Sequence, residues 1–417
     1  MGRRFIPVLA FAMLAAACTG ASSEPTSTTV SGTTTTSTAS DIDIDLDPDS
    51  DPNPGLLAIV DDAGGIVVMS PDGTDRRPVA AAGSDENPAV YTQPVWSPDG
   101  SSLAWGQTTG TGFGVGISQV GSDLTTTLTT PNLPFFTYWS PDSRYLGLLH
   151  NGTSGVQFQI ADIDEETTSL IDEDAPLYFS WSPDGDRVVT HAGPSQFETV
   201  GVDGDRAALE PTSSTYLAPH WTDRGVFHVV DEELVVEDEQ GNREVLADVT
   251  GAAVTMFVAN PSGTRIAMQS TGDGSGPITA ALEEIPAPPG DAVVVLDTTT
   301  WDLDVASEQP AIGFFWSPDG ERLLVLAADD GQITPLVWED GTVGTYPAYL
   351  PHPTLLQTTF PFFPQYAQSV SFWSPDSSAF AYAGAAEDIA GVWVQEVGGE
   401  EPVRVSDGSW VAWSPDN

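Results

Sequence analysis

The pentapeptide Trp-Ser-Pro-Asp-Gly stands in full at residues 96–100, 181–185 and 316–320. Close variants begin at Trp139 and Trp373, a weaker one at Trp221, and the chain stops on another that begins at Trp413. A unit repeating at roughly 40-residue intervals is an architectural module: one copy cannot bury its own apolar face and must stack on its neighbours. The pentapeptide has the chemistry of a turn. Pro fixes φ, Asp hydrogen-bonds its own downstream backbone, Gly accepts a positive φ, and Trp offers a plate to pack on the next sheet. Ser and Asp are also catalytic residue types, but their recurrence in unit after unit assigns them to the turn.

Each copy lies between short apolar runs. Phe135-Phe-Thr-Tyr-Trp139 and Gly313-Phe-Phe-Trp316 precede the turn, and Tyr145-Leu-Gly-Leu148 and Arg322-Leu-Leu-Val325 follow it. A hairpin such as Val200-Gly-Val-Asp-Gly-Asp205 then completes four short strands, A to D. The tryptophans at 96, 139, 181 and 221 are spaced by 43, 42 and 40 residues, and a degenerate turn, Ala259-Asn-Pro-Ser-Gly263, comes 38 residues later. Two spacings of 57 lead to Trp316 and Trp373, and 40 more to Trp413. The pattern predicts an all-β chain forming a single β-propeller of eight four-stranded blades, with seven as the alternative because the turns at 221–225 and 259–263 depart from the motif. The last turn stops at Asn417 with no strand B to follow. Gly55-Leu-Leu-Ala-Ile-Val60 reads as a strand B, and residues 65–79 read as a C–D hairpin. The N-terminal strands are therefore expected to complete the last blade, which closes the ring and leaves few exposed sheet edges.

At these motifs the sequence resembles the TolB-like β-propeller family, over about residues 55–417. The resemblance implies an envelope-associated, non-catalytic binding scaffold. Similar propellers cap serine peptidases, but those need an α/β-hydrolase domain with a Gly-x-Ser-x-Gly elbow, and no such pentapeptide occurs in this sequence. The five histidines, 150, 191, 220, 228 and 352, contain no His-x-x-x-His pair, and structural roles are expected for them. Carboxylate pairs are too abundant to single out a glycosidase pair, and no Gly-rich phosphate loop precedes a helix. No catalytic residue, metal ligand or cofactor is assigned. The alternative function is a propeller hydrolase or lyase with its site at the channel mouth.

Acidic residues number 60 against 12 basic ones, all of them Arg, and residues 55–417 carry 53 of the acids and 10 of the arginines, a net charge of −43. Such a surface repels phosphate backbones and anionic headgroups, which excludes nucleic acid as a partner. It is either a solvated shell or a surface that attracts a cationic partner. Residues 1–17 read as an export signal: Arg3 and Arg4 precede an apolar run from Phe5 to Ala17 that is too short to span a bilayer. Leu14-Ala-Ala-Ala-Cys18 is similar to a bacterial lipobox, so lipidation is expected at Cys18, the only cysteine, although Ala15-Ala-Ala17 also satisfies ordinary signal peptidase. Residues 18–54 are a Ser/Thr-rich stretch followed by Asp at every second position from Asp41 to Asp51, which is either a disordered, self-repelling tether or a calcium site. The protein is expected to be an exported monomer, facing outside the cytoplasm and touching the membrane only through its lipidated N-terminus.

In a four-stranded meander, A–B and C–D turns share one face and B–C and D–A connections the other. The two long spacings place insertions at residues 271–290 and 346–369 on that second face. The latter carries Tyr346, Tyr349, His352, Phe360, Phe362, Phe363 and Tyr366. Long loops on rigid scaffolds are where binding resides, so these residues form the candidate binding loop for an envelope protein or a small ligand. The other open reading is that the rings fold back to plug the channel or cover a blade edge.

Overall fold

The computed structural model describes residues 33–35, 55–122, 124–194, 196–209, 218–249, 254–270, 278–280, 283–285 and 291–415. The signal segment, Cys18, the Asp-rich run and most of the first insertion lie outside the described residues.

Eight antiparallel sheets follow one another around a ring, each a blade built on strands A to D, in chain order in all but the eighth. The first seven strands A are Ala89–Trp96, Pro134–Trp139, Leu177–Trp181, His220–Thr222, Val254–Ala259, Ala311–Trp316 and a divided strand in blade 7. Blade 8 takes its strand A from Trp410–Trp413 and its strands B, C and D from Leu57–Val60, Ile66–Met69 and Arg77–Ala80. Leu57 lies opposite Trp413 and Val60 opposite Trp410, so the first and last strands of the ring pair as the sequence predicts. The departing turns at 222–225 and 259–263 each head a blade of their own, which makes the number eight.

The pentapeptide folds as a closed hydrogen-bond unit. In blade 1, Ser97 Oγ donates to Asp99 Oδ1 (2.6 Å) and accepts from Ser102 N (2.9 Å), while Asp99 Oδ1 also accepts from Ser101 N (3.0 Å). The same Ser–Asp bond recurs in blades 2, 3, 6 and 7. In blade 3 the Ser182 hydroxyl is the main cause that holds the Asp184 carboxyl below the usual carboxylate range. Gly100, Gly185 and Gly320 take positive φ, and where blades 2 and 7 have Ser143 and Ser377 instead, those residues adopt φ of 63° and 60° all the same. Their hydroxyls supply a reason for serine there: Ser143 Oγ accepts from Asp99 N (3.0 Å) and Ser377 Oγ from Asp319 N (3.3 Å), each tying its turn to that of the preceding blade.

The tryptophan is more than a plate. The indole N–H of Trp139 donates to the carbonyl of Val95 in the preceding blade (3.2 Å), Trp181 to Tyr138 (3.1 Å), Trp316 to Val258 (2.9 Å), Trp373 to Phe315 (3.0 Å), and Trp96, across the closure, to Ala412 (3.1 Å). In each case the acceptor is the residue before the motif position of the neighbouring blade, so one bond repeats as a ratchet around the ring. A neutral bond of this kind contributes about 1 kcal/mol net. Apolar packing between blades supplies the rest of the core: Leu57, Ile59, Leu103, Phe136, Phe158, Phe179, Phe314 and Leu323 have no exposed surface.

The first insertion contributes a small hairpin, Ile278–Ala280 with Glu283–Ile285, which leaves blade 5 between its strands B and C and pairs with the outer edge of blade 4 at Asp248. Thr33–Thr35 pairs in the same way with the outer strand of blade 1. Both additions cover strand edges that would otherwise be open templates.

Candidate functional site

Strand A of blade 7 is interrupted. Leu350 and Pro351 pair with Ala385 and Gly384 of its strand B, and His352 N donates to Ala383 O (3.1 Å). The chain then leaves the sheet and returns eighteen positions later in register, with Ala381 N donating to Phe372 O (2.8 Å) and Trp373 bridged to Phe380. The excursion contains α1 (Pro353–Thr358), a 3-10 turn (Phe360–Phe362) and α2 (Phe363–Tyr366). Proline at the first position of α1 and a side-chain cap on its N-terminus explain why a helix starts here: His352 Nδ1 accepts from Thr354 N (3.3 Å).

The excursion fills the channel, and polar side chains bolt it there. Gln365 Oε1 accepts from Phe179 N (2.9 Å) and its Nε2 donates to Phe179 O (2.7 Å), so one amide satisfies both main-chain groups of a strand-A residue in blade 3. Gln368 accepts from Ser180 Oγ (2.5 Å) and donates to Pro219 O of blade 4 (3.0 Å). The Tyr366 hydroxyl donates to Phe135 O and accepts from Gln93 Nε2 (3.0 Å), and burial raises its pKa. Gln93 reaches inward because strand A of blade 1 bulges between Thr92 and Val95 and Gln93 takes φ of 50°. Phe363 packs edge-on against Phe314 and Phe315 of blade 6 (4.7 and 5.4 Å), in space left by Gly313, where a Cβ would come within 3.0 Å of the ring. Five blades besides its own are thus held by one short segment.

The residues predicted from sequence are brought together, chiefly as an internal structure. Tyr346 and Tyr349 are buried before the excursion begins: Tyr346 accepts from Gly398 N (2.9 Å), and Tyr349 stacks on Tyr382 at 4.0 Å. Phe363 and Tyr366 are buried inside the channel, Phe360 is half-buried against the same core, and His352 is the helix cap, its pKa lowered by burial. The Phe362 side chain lies outside the described residues. Gln93, Gln365 and Gln368 were not singled out from sequence. The available signal was glutamine inside an aromatic and proline-rich loop, where an amide can answer a donor and an acceptor at once.

What faces outward on this side is apolar in part. Leu350, Leu356 and Ile389 of blade 7 and Val90 and Phe113 of blade 1 are exposed on the B–C and D–A face. The histidines sit elsewhere. His150, His191 and His228 are buried in strands B. His228 Nε2 makes a long contact of 3.5 Å to Glu237; burial lowers the imidazole pKa, and His228 together with Arg243 holds the Glu237 carboxyl low. His220 lies in a channel-lining strand with Nδ1 accepting from Ala259 N (3.0 Å), and burial takes its pKa down to about 4. Among the described residues no group of three His, Cys, Asp or Glu side chains converges in a way that could hold a metal ion.

No family model matches the sequence, and no curated protein does. Solved structures resemble it as β-propellers. An oligogalacturonate lyase in complex with manganese superposes with a TM-score of 0.51 at 12% identity, covering 87% of this chain and 96% of the lyase. The oligogalacturonate lyase from Vibrio parahaemolyticus gives 0.50 at 13%, covering 82% and 97%. TolB from Acinetobacter baumannii gives 0.39 at 12%, with 70% of this chain and 62% of TolB covered. At these identities the likeness extends to the propeller fold and no further.

Proposed function

We propose that this chain is a non-catalytic binding scaffold of the cell envelope, held on a lipid anchor at Cys18 and engaging a protein partner on the B–C and D–A face. The observation that carries the reading is the plug. The axis of a propeller is where a small substrate would reach converging strand ends, and here that space is occupied by the protein's own residues 353–369, bonded to strand-A groups of blades 1 to 4. A filled channel leaves the outer surface to do the work, and exposed Leu356 at the start of the plug, with Leu350 and Ile389 beside it, supplies apolar anchors of the kind that protein interfaces bury.

The test is recovery of partners from envelope extract by the wild type and by a variant carrying Leu350→Asp, Leu356→Asp and Ile389→Asp, with thermal unfolding to confirm that the variant is intact. Loss of a specific partner supports the reading, and equal recovery of every partner sinks it. Deleting the whole of residues 346–369 would be uninformative, because it removes Leu350 and Pro351 of strand A in blade 7 as well.

A propeller lyase is the second reading, suggested by the two lyases that share the fold. Incubation with oligogalacturonate, with and without manganese, followed by ultraviolet absorbance of an unsaturated product, separates the two readings. Turnover that disappears when the plug face is mutated would favour the enzyme.

A further inference from the structure

The opposite face carries a cleft of about 340 Å³ between the A–B turn of blade 3 and the A–B and C–D turns of blade 4. Asp184, Trp221, Asp223, Arg224, Asp238 and Glu239 are among its walls. Arg224 is already engaged, donating to Thr298 Oγ1 (2.6 Å), Gly263 O (3.2 Å) and Glu244 (2.8 Å). Its charge is therefore matched outside the cleft, and the four carboxylates remain in excess. Two of them serve their own turns: Asp184 accepts from Ser182 Oγ, and Asp238 from Asn242. Asp223 and Glu239 are exposed and, among the described residues, neither carboxylate makes a hydrogen bond or ion pair.

Trp221 is the independent sign that this is a site and more than an acidic patch. It is only 8% exposed, as is Trp96. Trp96 and four other motif tryptophans each give their indole N–H to a carbonyl of the preceding blade. Trp221 breaks the ratchet. Its backbone N donates to Ser180 Oγ (3.0 Å), but among the described residues its indole N–H has no hydrogen-bond partner. Nor does that atom belong with the buried orphans, such as Trp338 Nε1, that are sealed from solvent. Trp221 is one of the residues that line the acidic cleft.

We propose that this cleft binds a basic polypeptide segment, with one arginine side chain among Asp223, Glu239 and Asp238 and a carbonyl of the same segment accepting from the Trp221 indole N–H. The recognition logic is complementary on both counts. A guanidinium carries five donors and no acceptor, which suits carboxylates but leaves the indole N–H unanswered. A peptide supplies the missing acceptor from its backbone, next to the cationic side chain. A free polyamine supplies none, and an anionic chain is repelled by a domain with this charge. The site is separate from the plug face and stands whether or not that face binds a partner.

The test uses the full chain with 15N-labelled tryptophan, the Trp221 indole resonance being identified by its loss in Trp221→Phe. Titration with the capped tripeptide Gly-Arg-Gly is expected to shift that resonance saturably, with a dissociation constant on the order of 1 mM for so small a probe. Asp223→Asn with Glu239→Gln should weaken binding at least fivefold, while neutralising the distant exposed pair Asp85 and Glu86 should leave it within twofold. No saturable shift overturns the proposal, as does an equal loss in both double variants. Equal binding by Gly-Gln-Gly removes the cationic requirement, and equal or tighter binding by spermidine removes the peptide requirement; either result overturns the proposal. Asp223 and Glu239 are exposed side chains, so their amides do not threaten folding, and unchanged shifts at the other indoles verify that.

Discussion

Ser414 Oγ accepts a hydrogen bond from Leu56 N at 2.8 Å, and Ser414 N returns one to Leu56 O at 2.8 Å. In blade 1 the same two bonds join Ser97 to Ser102 at 2.9 Å each, within one continuous turn. The ring is therefore closed inside a copy of the repeating turn, with residues from the two ends of the domain rebuilding the bonds that elsewhere lie five residues apart. Ser414→Ala should cost about 1 kcal/mol, the penalty for leaving the half-buried Leu56 N without its partner. It should also raise hydrogen exchange of Leu57–Val60 more than Ser97→Ala raises that of Ser102–Thr109, because no covalent turn holds the pair together. Equal protection losses in the two variants would contradict this account of the closure.

Gln365 satisfies both backbone groups of Phe179 with one amide. Gln365→Leu, close in volume, leaves a buried N–H and a buried C=O unpaired and should lower stability by about 2–4 kcal/mol. Gln365→Glu keeps an acceptor and loses the donor. Chemical denaturation gives the cost, and exchange at the Phe179 amide locates it; a neutral Gln365→Leu would mean that the plug is not bolted to blade 3.

Trp96 and Trp221 are equally buried, but only Trp96 bonds across blades through its indole. Replacing either by Phe removes similar volume, so the difference between them isolates the N–H bond. Trp96→Phe should be more destabilising by about 1 kcal/mol, since it also removes the indole bond to the Ala412 carbonyl. Denaturation midpoints that coincide would rule out a stabilising ratchet.

His220 gives the fold a pH dependence of definite sign. Its folded pKa of about 4 lies below the unfolded value of 6.5, so between those values the unfolded chain binds the extra proton. Stability from this residue is full above about pH 6.5 and drains as pH falls toward 4, as protonation removes the lone pair that accepts from Ala259 N. His220→Gln keeps an acceptor that does not titrate and should flatten the stability profile across that window. A profile unchanged by the substitution would assign the acid lability to other groups.

The blade number, the closing strands and the turn role of Ser, Pro and Asp were legible in the sequence because each rests on local chemistry repeated many times. Residues 259–263 could be counted as a turn without a tryptophan because Asn260 plays the serine part, its Oδ1 accepting from Arg265 N (3.0 Å). What escaped was long-range. Nothing local in Gln365 or Gln368 tells that they reach Phe179 and Pro219, more than a hundred residues away. The divided strand A was hidden for a related reason: Leu350-Pro351 and Phe372-Trp373 are each too short to read as half of one strand. The aromatic segment was read as an insertion between strands D and A, whereas it interrupts strand A itself, and aromaticity alone does not distinguish a ring offered to a partner from one such as Phe363 that meets Phe314 across the channel. The cleft at Trp221 became visible only when the indoles of five other motif tryptophans were seen to be bonded.

The closure also has a mechanical meaning. Gly55 enters strand B of blade 8 beside the turn where Ser414 leaves strand A, so a force applied at Gly55 along the strand would act on the axis of Leu57–Val60. Ladder hydrogen bonds lie across the strand direction, and a pull along the strand loads all of them together instead of peeling them one by one. Such a force would thus meet the seam of the ring in shear, the direction in which four short pairs hold best.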